Sequence, residues 1–326
     1  MKIYHNQDAD TKILKNKTVA VIGYGSQGRA QALMLRDSGV NVLVGVRGDA
    51  TKKLAKADKV NITSVEDAAK KGDIVHILIP DEVQGKVYAE KIAPYMTAGK
   101  TLSFSHGFNI VFKKITPPKD IDVIMVAPKC PGTEERKRYL EGFGVPALIA
   151  IKQDATGNAK KTALAMAKAM YFTKAGVLES TFEEETYEDL FGEQTVLCGG
   201  MTELIKVGFE VLVEKGYPPE LAYFECLHET KLIMDLIYEG GLTKMWQVVS
   251  NTAEYGGRTV GPKIIDKGVK TRMKEALKRI ESGQFAKEWL AEYEKGLPNL
   301  TKMRKEESKH QIEVVGAKIR CLFEKK

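Results

Sequence analysis

The stretch "VAVIGYGSQGRAQALMLRDSGVNVLVGVR", residues 19–47, decides the fold of the first half of the chain. A run of small and β-branched apolar residues leads into Gly23, Gly25 and Gly28. A helix-like stretch follows, and a second apolar run ends at Arg47. This order of strand, G-x-G-x-x-G turn, helix and strand is typical of a dinucleotide-binding βαβ unit. The glycines predict a tight turn, a close approach of the backbone to a pyrophosphate, and close packing of the helix on the strand.

The residues after the second apolar run bear on the choice between NAD and NADP. A dinucleotide site for NAD has an acidic residue at this point, whereas this chain has Arg47. Arg47 and Lys52 favour the 2′-phosphate of NADP, but Asp49 repels a phosphate and accepts a hydrogen bond from a free 2′-hydroxyl. Charge therefore favours NADPH slightly, and NADH remains open.

Strand and helix patterns alternate through the first half of the chain, which predicts an α/β fold with a doubly wound parallel sheet of the Rossmann type. Strands are expected at residues 18–22, 40–46, 74–79, 101–105, 123–127 and 145–151, with a short run at 175–178. From residue 183 onward, helices are expected at 183–215, 219–238, 244–255, 269–282, 286–295 and 302–323, separated by glycine- and proline-containing stops. The 326 residues suit two domains. We expect a dinucleotide-binding domain over residues 1–181 and an all-α domain over 182–326.

Composition excludes several classes of function. The net charge of +7 comes mainly from lysines that alternate with glutamates, without aromatic stacking residues, so a solvated surface is favoured over nucleic-acid binding. The four cysteines are scattered, which favours reduced thiols. No apolar run has the ~18 residues needed to span a bilayer, and no signal peptide is recognised. We expect a cytoplasmic enzyme with a small-molecule substrate and neither nucleic acid nor membrane as a partner.

Two pairs of carboxylates mark the helical half. Asp189 and Glu193 are four residues apart, as are Glu225 and Glu229, and each pair lies among apolar residues. Such pairs place two oxygen ligands on one helix face, which suits Mg²⁺, including two ions if the pairs face each other. Solvated helix faces are the alternative, and spacing alone leaves both interpretations open. The glutamates at 183–185 and 188 are expected to be solvated, favoured by the helix N-terminus.

Seven motifs together resemble the short (class I) type of the ketol-acid reductoisomerase family, also called acetohydroxyacid isomeroreductase. They are GYGSQGRAQALMLRDSG, IPDEVQ, FSHGFNI, APKCPGT, EDLFGEQTVLCGG, YFECLHE and SNTAEYG. The resemblance covers nearly the whole chain. It implies Mg²⁺-dependent alkyl migration in 2-acetolactate or 2-aceto-2-hydroxybutyrate, then reduction by NAD(P)H to a 2,3-dihydroxy acid, on the route to valine, leucine and isoleucine. It also implies two Mg²⁺ ions per active site and intertwined, knotted helical domains in a homodimer, sometimes assembled further.

The resemblance assigns roles to residues at matching positions. Asp189, Glu193, Glu225 and Glu229 match the metal ligands, with Glu229 nearest the substrate, where it helps to move protons. Ser250 matches the hydroxyl that holds the substrate. His106 and Lys129 match the catalytic polar pair between the metal-bound water and the nicotinamide. Motif and resemblance together give a dinucleotide site of Gly23, Tyr24, Gly25, Ser26, Gln27, Gly28, Arg47, Asp49, Thr51, Lys52, Asp81, Glu82, Gln84, His106 and Gly132.

The chain departs from the family pattern in two places. The loop after Arg47 lacks the serines that are usual there, which leaves the choice between NADPH and NADH open. Cys130 and Thr133 stand where glycine and histidine are more usual, while Lys129 and Gly132 are retained. The alternative enzyme class is a β-hydroxyacid or 6-phosphogluconate-type dehydrogenase, which needs a catalytic lysine on the helical domain, with Lys206 as the candidate. A non-enzymatic relative would have lost the carboxylates, and all four are present.

Overall fold

The computed structural model describes residues 2–322 and divides into two compact units, Met1–Glu188 and Asp189–Lys326. The division falls inside a helix, Phe182–Gly192. The predicted domain boundary at residues 181/182 is the start of that helix, and it stays a prediction. None of the described helices combines the length and the apolar character needed to cross a membrane.

The first unit is built on a nine-stranded sheet. The strands are β1 (Ile3–Tyr4), β2 (Thr18–Ile22), β3 (Asn41–Gly45), β4 (Asn61–Thr63), β5 (Ile74–Ile77), β6 (Thr101–Phe104), β7 (Asp122–Pro128), β8 (Ala147–Gln153) and β9 (Val177–Ser180). Their order across the sheet is β1-β9-β8-β7-β6-β5-β2-β3-β4. Every neighbouring pair from β4 to β7 is parallel, as is β8 with β9, which confirms the Rossmann-type sheet.

The sheet is mixed rather than wholly parallel. β7 pairs with β8, and β1 with β9, in the antiparallel direction. An apolar run carries no information about strand direction, so the sequence could not reveal these pairings. The sequence prediction also missed β1 and β4, because strands of two and three residues are too short to show an alternating pattern.

Helices cover both faces of this sheet. They are α1 (Ser26–Asp37), α2 (Asp49–Ala57), α3 (Val65–Lys71), α4 (Asp81–Val87), α5 (Phe108–Val111), α6 (Gly132–Leu140), α7 (Ala159–Ala169), α8 (Phe172–Ala175) and α9 (Phe182–Gly192). Along β2, Val19 and Val21 belong to one apolar core, while Ala20 and Ile22 belong to another. Because successive side chains of a strand point to opposite faces, both faces of β2 are buried. Each fully buried valine or isoleucine side chain contributes about 1.5–3 kcal/mol to the free energy of unfolding. This packing holds the loops at the strand ends in place.

The second unit is helical. After a π-helical turn at Glu193–Leu197 come α10 (Gly199–Glu214), α11 (Pro219–Tyr223), a second π-helical turn at Phe224–His228, α12 (Glu229–Val248), α13 (Asn251–Ile264), α14 (Lys267–Glu281), α15 (Gln284–Glu294), α16 (Pro298–Glu307) and α17 (Gln311–Arg320). Its buried core is small and comprises Phe209, Ala222, Tyr223, Ile312, Val315 and Ile319.

Several helix boundaries predicted in this unit are wrong. Gly256 and Gly257, expected to stop a helix, lie inside α13. A Cβ at Gly257 would lie 2.6 Å from the Trp246 ring, so this glycine permits close packing rather than chain reversal. The single helix expected over 302–323 is two helices, α16 and α17, and residue 323 lies outside the described residues. The break expected at Gly240–Gly241 is confirmed, because both residues have non-helical backbone angles inside α12.

Candidate active site

The glycine turn lies where the strand order reverses. The chain passes from β2 to β3 and β4 on one side, whereas β5, β6 and β7 lie on the other. Gly23 follows β2 with φ +105°, and its N–H donates to the Gly45 carbonyl oxygen over 3.0 Å. A Cβ at Gly23 would lie 2.5 Å from the Leu78 carbonyl oxygen, just beyond β5. Ligands of doubly wound sheets bind in the crevice at this reversal.

The two other glycines of the motif differ in their surroundings. A Cβ at Gly28 would lie 2.5 Å from the Gly23 carbonyl oxygen, so α1 packs directly on the turn. A Cβ at Gly25 would meet nothing within 4 Å, and Gly25 and Ser26 are exposed at the start of α1. Because no side chain caps this end of α1, its backbone N–H groups are available to a phosphate. Protein packing explains Gly28, and an approaching ligand would explain Gly25.

The remaining motif residues hold the turn against neighbouring elements. The buried Tyr24 hydroxyl donates to Asp58 Oδ2 over 3.0 Å, so Tyr24 has only its backbone to offer a dinucleotide. Gln27 Nε2 donates to the Cys130 carbonyl oxygen over 3.1 Å. A Cβ at Gly132, the first residue of α6, would lie 2.5 Å from the Ser26 carbonyl oxygen. The starts of α1 and α6 therefore meet closely.

The residues predicted to contact the adenosine ribose are grouped at the start of α2. Arg47 is exposed, and Asp49 is the first residue of α2. Lys52 Nζ lies 3.2 Å from Asp49 Oδ1, and the Asp49 side chain is 98% exposed. Thr51, which precedes Lys52 in the sequence, is half-buried. The ion pair partly neutralises both charges, so this geometry favours neither a phosphate nor a hydroxyl outright.

The loop after β5 is held by hydrogen bonds of its own. The buried Gln84 Nε2 donates to the Ile79 carbonyl oxygen over 2.8 Å and to Asp81 Oδ1 over 3.1 Å. Asn109 Nδ2 donates to the Asp81 carbonyl oxygen over 3.0 Å. Asp81 and Glu82 are half-buried in the first turn of α4. Gln84 therefore shapes the loop.

A cluster of polar side chains in the first unit joins the ends of β6 and β7 to α9. The buried Glu185 carboxylate accepts hydrogen bonds from His106 Nδ1 at 3.1 Å and the Gly107 N–H at 3.0 Å. Lys129 Nζ lies 3.3 Å from the other Glu185 oxygen. Burial alone would raise the pKa of Glu185, but the hydrogen bond and charge of His106, the Lys129 charge and the Gly107 N–H together hold this pKa below its usual range.

The predicted metal ligands lie on helices interrupted by π-helical turns. Asp189 is half-buried, one helical turn after Glu185 in α9. Glu193 opens the first π-helical turn, Glu225 lies in the second, and Glu229 begins α12. Among the described residues of the second unit, no three of these four carboxylates offer ligand atoms within 4.8 Å of one another. A single chain therefore does not assemble the four-carboxylate site, although π-helical turns are frequent at functional sites.

Comparisons with known proteins identify the family. The model "Acetohydroxy acid isomeroreductase, NADPH-binding domain" matches residues 13–176, and "Ketol-acid reductoisomerase, C-terminal domain" matches residues 182–325. The chain belongs to the ketol-acid reductoisomerase family. It is 59% identical to a ketol-acid reductoisomerase (NAD(+)) of an uncultured archaeon over 332 residues, and 60% identical to a ketol-acid reductoisomerase (NADP(+)) of Akkermansia muciniphila over 325 residues, with 100% of each chain covered. A solved NADH-preferring ketol-acid reductoisomerase from an uncultured archean matches with a TM-score of 0.97 at 59% identity, covering 100% of both chains.

Two other residues that the sequence analysis singled out, Ser250 and Lys206, lie in the second unit. Ser250 precedes α13, and its Oγ accepts a hydrogen bond from the Ala253 N–H over 3.2 Å. The helix expected over 244–255 was therefore wrong, because the chain breaks after Val248 and Ser250 caps the next helix. Lys206, the lysine that a dehydrogenase of the alternative class would need, lies 2.5 Å from Glu203 within α10.

Glu185 is the residue that the sequence prediction missed, since it was expected to be solvated. Phe182, Glu185, Thr186 and Leu190 are all buried, at spacings that place them on one face of α9. The neighbouring Glu184 carboxylate is exposed and accepts a hydrogen bond from the Thr181 N–H at the helix start. A carboxylate on an apolar helical face was the available signal, and the run of three glutamates hid it. Glu185 connects the two predicted catalytic residues, His106 and Lys129.

Proposed function

We propose that the chain catalyses Mg²⁺-dependent alkyl migration in 2-acetolactate or 2-aceto-2-hydroxybutyrate and NAD(P)H-dependent reduction of the product to a 2,3-dihydroxy acid. The observation that carries this proposal is the group of His106, Lys129 and Glu185 at the carboxyl ends of β6 and β7. It lies in the unit that holds the glycine turn, and α9 continues from Glu185 to Asp189. Membership of the ketol-acid reductoisomerase family supports the reaction class.

Asp189, Glu193, Glu225 and Glu229 are the residues we propose as Mg²⁺ ligands. Carboxylate oxygens are the donors that Mg²⁺ prefers, and the last three are exposed in the described chain. When bound, Mg²⁺ acts as a Lewis acid on the adjacent substrate oxygens that gain negative charge. The two π-helical turns of the second unit fall on Glu193 and Glu225, which supports a functional reason for the helix irregularity there.

The chain's own residues orient and move protons. Glu185 accepts the hydrogen bond of His106 Nδ1 and so fixes the orientation of the imidazole at the carboxyl end of β6, and we assign proton exchange with water or substrate to this ring. Lys129, held by the same carboxylate, places a positive charge beside it, where an oxyanion of the substrate gains stabilisation. We assign Glu229 to proton transfer, and the Ser250 hydroxyl to binding of the substrate carboxylate or 2-hydroxyl.

We propose that the chain uses both NADPH and NADH. The ion pair of Asp49 and Lys52 balances the charges that would discriminate between a 2′-phosphate and a 2′-hydroxyl. Relatives of nearly equal identity are named for NAD(+) and for NADP(+), which supports the same conclusion. Side-by-side kcat/KM values for the two cofactors test this proposal, and a preference above about a hundredfold, near 3 kcal/mol, would exclude balanced charges.

We propose that the protein acts as a homodimer through its second unit. Many large apolar side chains of that unit are exposed in the chain: Val196, Leu197, Leu204, Val207, Val211, Leu221, Leu232, Tyr238, Leu242, Val248, Tyr255, Val260 and Ile264. Extended apolar surfaces of this kind are normally covered by a partner. A second copy would also supply carboxylates that one chain does not bring together. Light scattering on the protein as it elutes from a size-exclusion column tests whether it is a dimer. A stable and active monomer would contradict the proposed homodimer.

Two further predictions from the sequence stand as proposals. The dinucleotide-binding domain covers residues 1–181 and the helical domain 182–326, as the start of α9 at Phe182 suggests. The cytoplasm is the compartment, since the four cysteines are all free thiols in the structure.

The direct test is oxidation of NAD(P)H at 340 nm in the presence of 2-acetolactate and Mg²⁺. EDTA should abolish the activity, and added Mg²⁺ should restore it. Asp189→Asn should lose at least about a thousandfold in kcat/KM, because a metal ligand acts on the transition state. Full activity with EDTA, or in the variant, would overturn the proposal.

A further inference from the structure

Glu135 is a buried carboxyl group for which the proposed reaction has no use. It lies in α6, is 1% exposed, and neither of its side-chain oxygens has a hydrogen-bond partner. Burial raises the pKa of Glu135 to about 8, although the neighbouring Gln27 side chain acts in the opposite direction. An unpaired buried carboxylate is unfavourable, so this side chain is a neutral acid at neutral pH.

A chain of buried amides leads to this acid. His76 Nε2 lies 2.8 Å from Gln31 Oε1, and Gln31 Nε2 donates to Gln27 Oε1 over 2.9 Å. Gln27 in turn faces the Glu135 carboxyl, and its Nε2 donates to the Cys130 carbonyl oxygen. Since Gln31 Nε2 is a donor, Gln31 Oε1 is the acceptor, and the His76 proton is on Nε2. Glu135 thus lies at the end of a neutral polar chain under the dinucleotide turn.

Most charged groups on the elements packed around Glu135 form ion pairs with other residues, although the Nη1 atom of Arg136 is buried without a hydrogen-bond partner. On α1, Arg29 binds Asp58, and Arg36 and Asp37 bind each other; on α6, Arg136 binds Asp37, Arg138 binds Glu134 and Glu141, and before α6 Lys129 binds Glu185. The Cys130 thiol faces Glu135, and burial raises the pKa of Cys130 to about 12, so this thiol stays neutral. Within residues 2–322, no ion pair compensates a charge on Glu135.

The position of Glu135 ties it to the pyrophosphate turn. Three residues before Glu135 in α6, Gly132 approaches the Ser26 carbonyl oxygen at the start of α1. Gln27, the next residue, presents its side chain to Glu135. A negative charge here would lie behind the N–H groups that face an anionic ligand, and Coulomb repulsion at this range acts without direct contact.

We propose that Glu135 is a proton-dependent positioning residue of the dinucleotide site. In its protonated form it completes the neutral chain behind Gln27 and permits binding of the pyrophosphate, and in its ionised form it repels that anion. This inference rests on the proposed dinucleotide site but not on the reductoisomerase reaction. It predicts that affinity for the cofactor falls as the pH rises through about 8.

NADH binding by the full-length protein, followed by the change in its fluorescence between pH 6.5 and 9.5 without substrate or metal, tests the proposal. NADH is the probe because its pyrophosphate does not titrate in this range. We expect the dissociation constant of the unchanged protein for NADH to be constant below pH 7.5 and to rise about tenfold by pH 9. This rise is the expected effect of one negative charge on Glu135 acting on the bound pyrophosphate. Glu135→Gln should bind with a constant that varies less than twofold across the range.

Two further variants make the result decisive. Glu134→Gln removes the neighbouring, half-buried carboxylate and should keep the pH profile of the unchanged protein. Glu135→Leu supplies a second neutral side chain at this position, for the case that the glutamine variant does not fold. Its dissociation constant for NADH should likewise not change with pH. A flat profile for the unchanged protein, or an unchanged slope in both Glu135 variants, would overturn the proposal. Absence of NADH binding at every pH would instead contradict the dinucleotide site itself.

Discussion

The substitution Glu185→Gln tests the polar group at the ends of β6 and β7. In the unchanged chain, one Glu185 oxygen accepts from the Gly107 N–H, and the other lies 3.3 Å from Lys129 Nζ. Glutamine has the same shape, and its oxygen can keep the Gly107 hydrogen bond. Its amide group then faces Lys129 and His106, which are donors in the present arrangement. The variant therefore loses a charge-assisted hydrogen bond and gains a contact between donors.

The expected size of the effect follows from this geometry. A hydrogen bond to a charged group contributes about 1.5–3 kcal/mol, and Lys129 is a third exposed, which lowers the value. The mismatch of donors adds to the loss, so Glu185→Gln should destabilise the first unit by about 2–4 kcal/mol. For a unit of this size, the melting temperature should fall by about 5–10 °C. Because His106 and Lys129 lose their common anchor, kcat should fall by about a hundredfold or more, with a smaller change in the KM for NAD(P)H.

Calorimetry and steady-state kinetics give both quantities. Glu188→Gln is the matched control, since Glu188 is an exposed glutamate on the same helix, and it should leave melting temperature and kcat nearly unchanged. If Glu185→Gln melts within 2 °C of the unchanged protein and keeps kcat within about threefold, Glu185 does not hold the proposed catalytic residues His106 and Lys129 in place.

Three other perturbations have defined outcomes. Gly28→Ala places a Cβ 2.5 Å from the Gly23 carbonyl oxygen, so it should destabilise the first unit by about 1–3 kcal/mol and weaken NADH binding at least about tenfold in a fluorescence titration; unaltered binding would contradict the packing of α1 on the turn. Burial lowers the pKa of His76 to about 4, so the unfolded chain takes up a proton first as the pH falls from 6.5. The unfolding free energy should therefore fall by about 3 kcal/mol between pH 6.5 and 4 in urea titrations, and His76→Gln should lack that part of the loss. Asp49→Ser should raise the ratio of kcat/KM for NADPH over NADH by about threefold or more, and an unchanged ratio would show that Asp49 does not face the 2′ position.

The sequence predicted the parts of the fold that depend on local pattern. The strand–turn–helix order around Gly23 and the runs of buried residues in β5, β6 and β7 were sufficient for the Rossmann-type sheet. Strand direction was not predictable, because β8 has the same kind of apolar run as the parallel strands, and its direction depends on the path of the chain after α6. Gly257 shows a similar limit, because its role depends on Trp246 from another helix.

The site shows the same division between local pattern and tertiary contact. Glycine spacing pointed to the turn, and the family resemblance pointed to His106 and Lys129. Glu185 was missed, because its burial depends on residues that are distant in the sequence. His106, to which it is hydrogen-bonded, lies 79 positions earlier in the chain. Glu135 was missed for the same reason, since only the packing of α6 on α1 buries it. The four carboxylates remain predicted ligands that a single chain does not bring together.

The position of the two methyl groups in the product tests the proposed reaction most directly. The protein is incubated with 2-acetolactate, NADPH and Mg²⁺, and the product is examined by proton NMR. Alkyl migration before reduction places both methyl groups on one carbon, so two methyl singlets are expected, and EDTA should remove them. A product with one methyl singlet and one methyl doublet would show direct reduction of the ketone without migration, and would contradict the assignment of a reductoisomerase reaction to this chain.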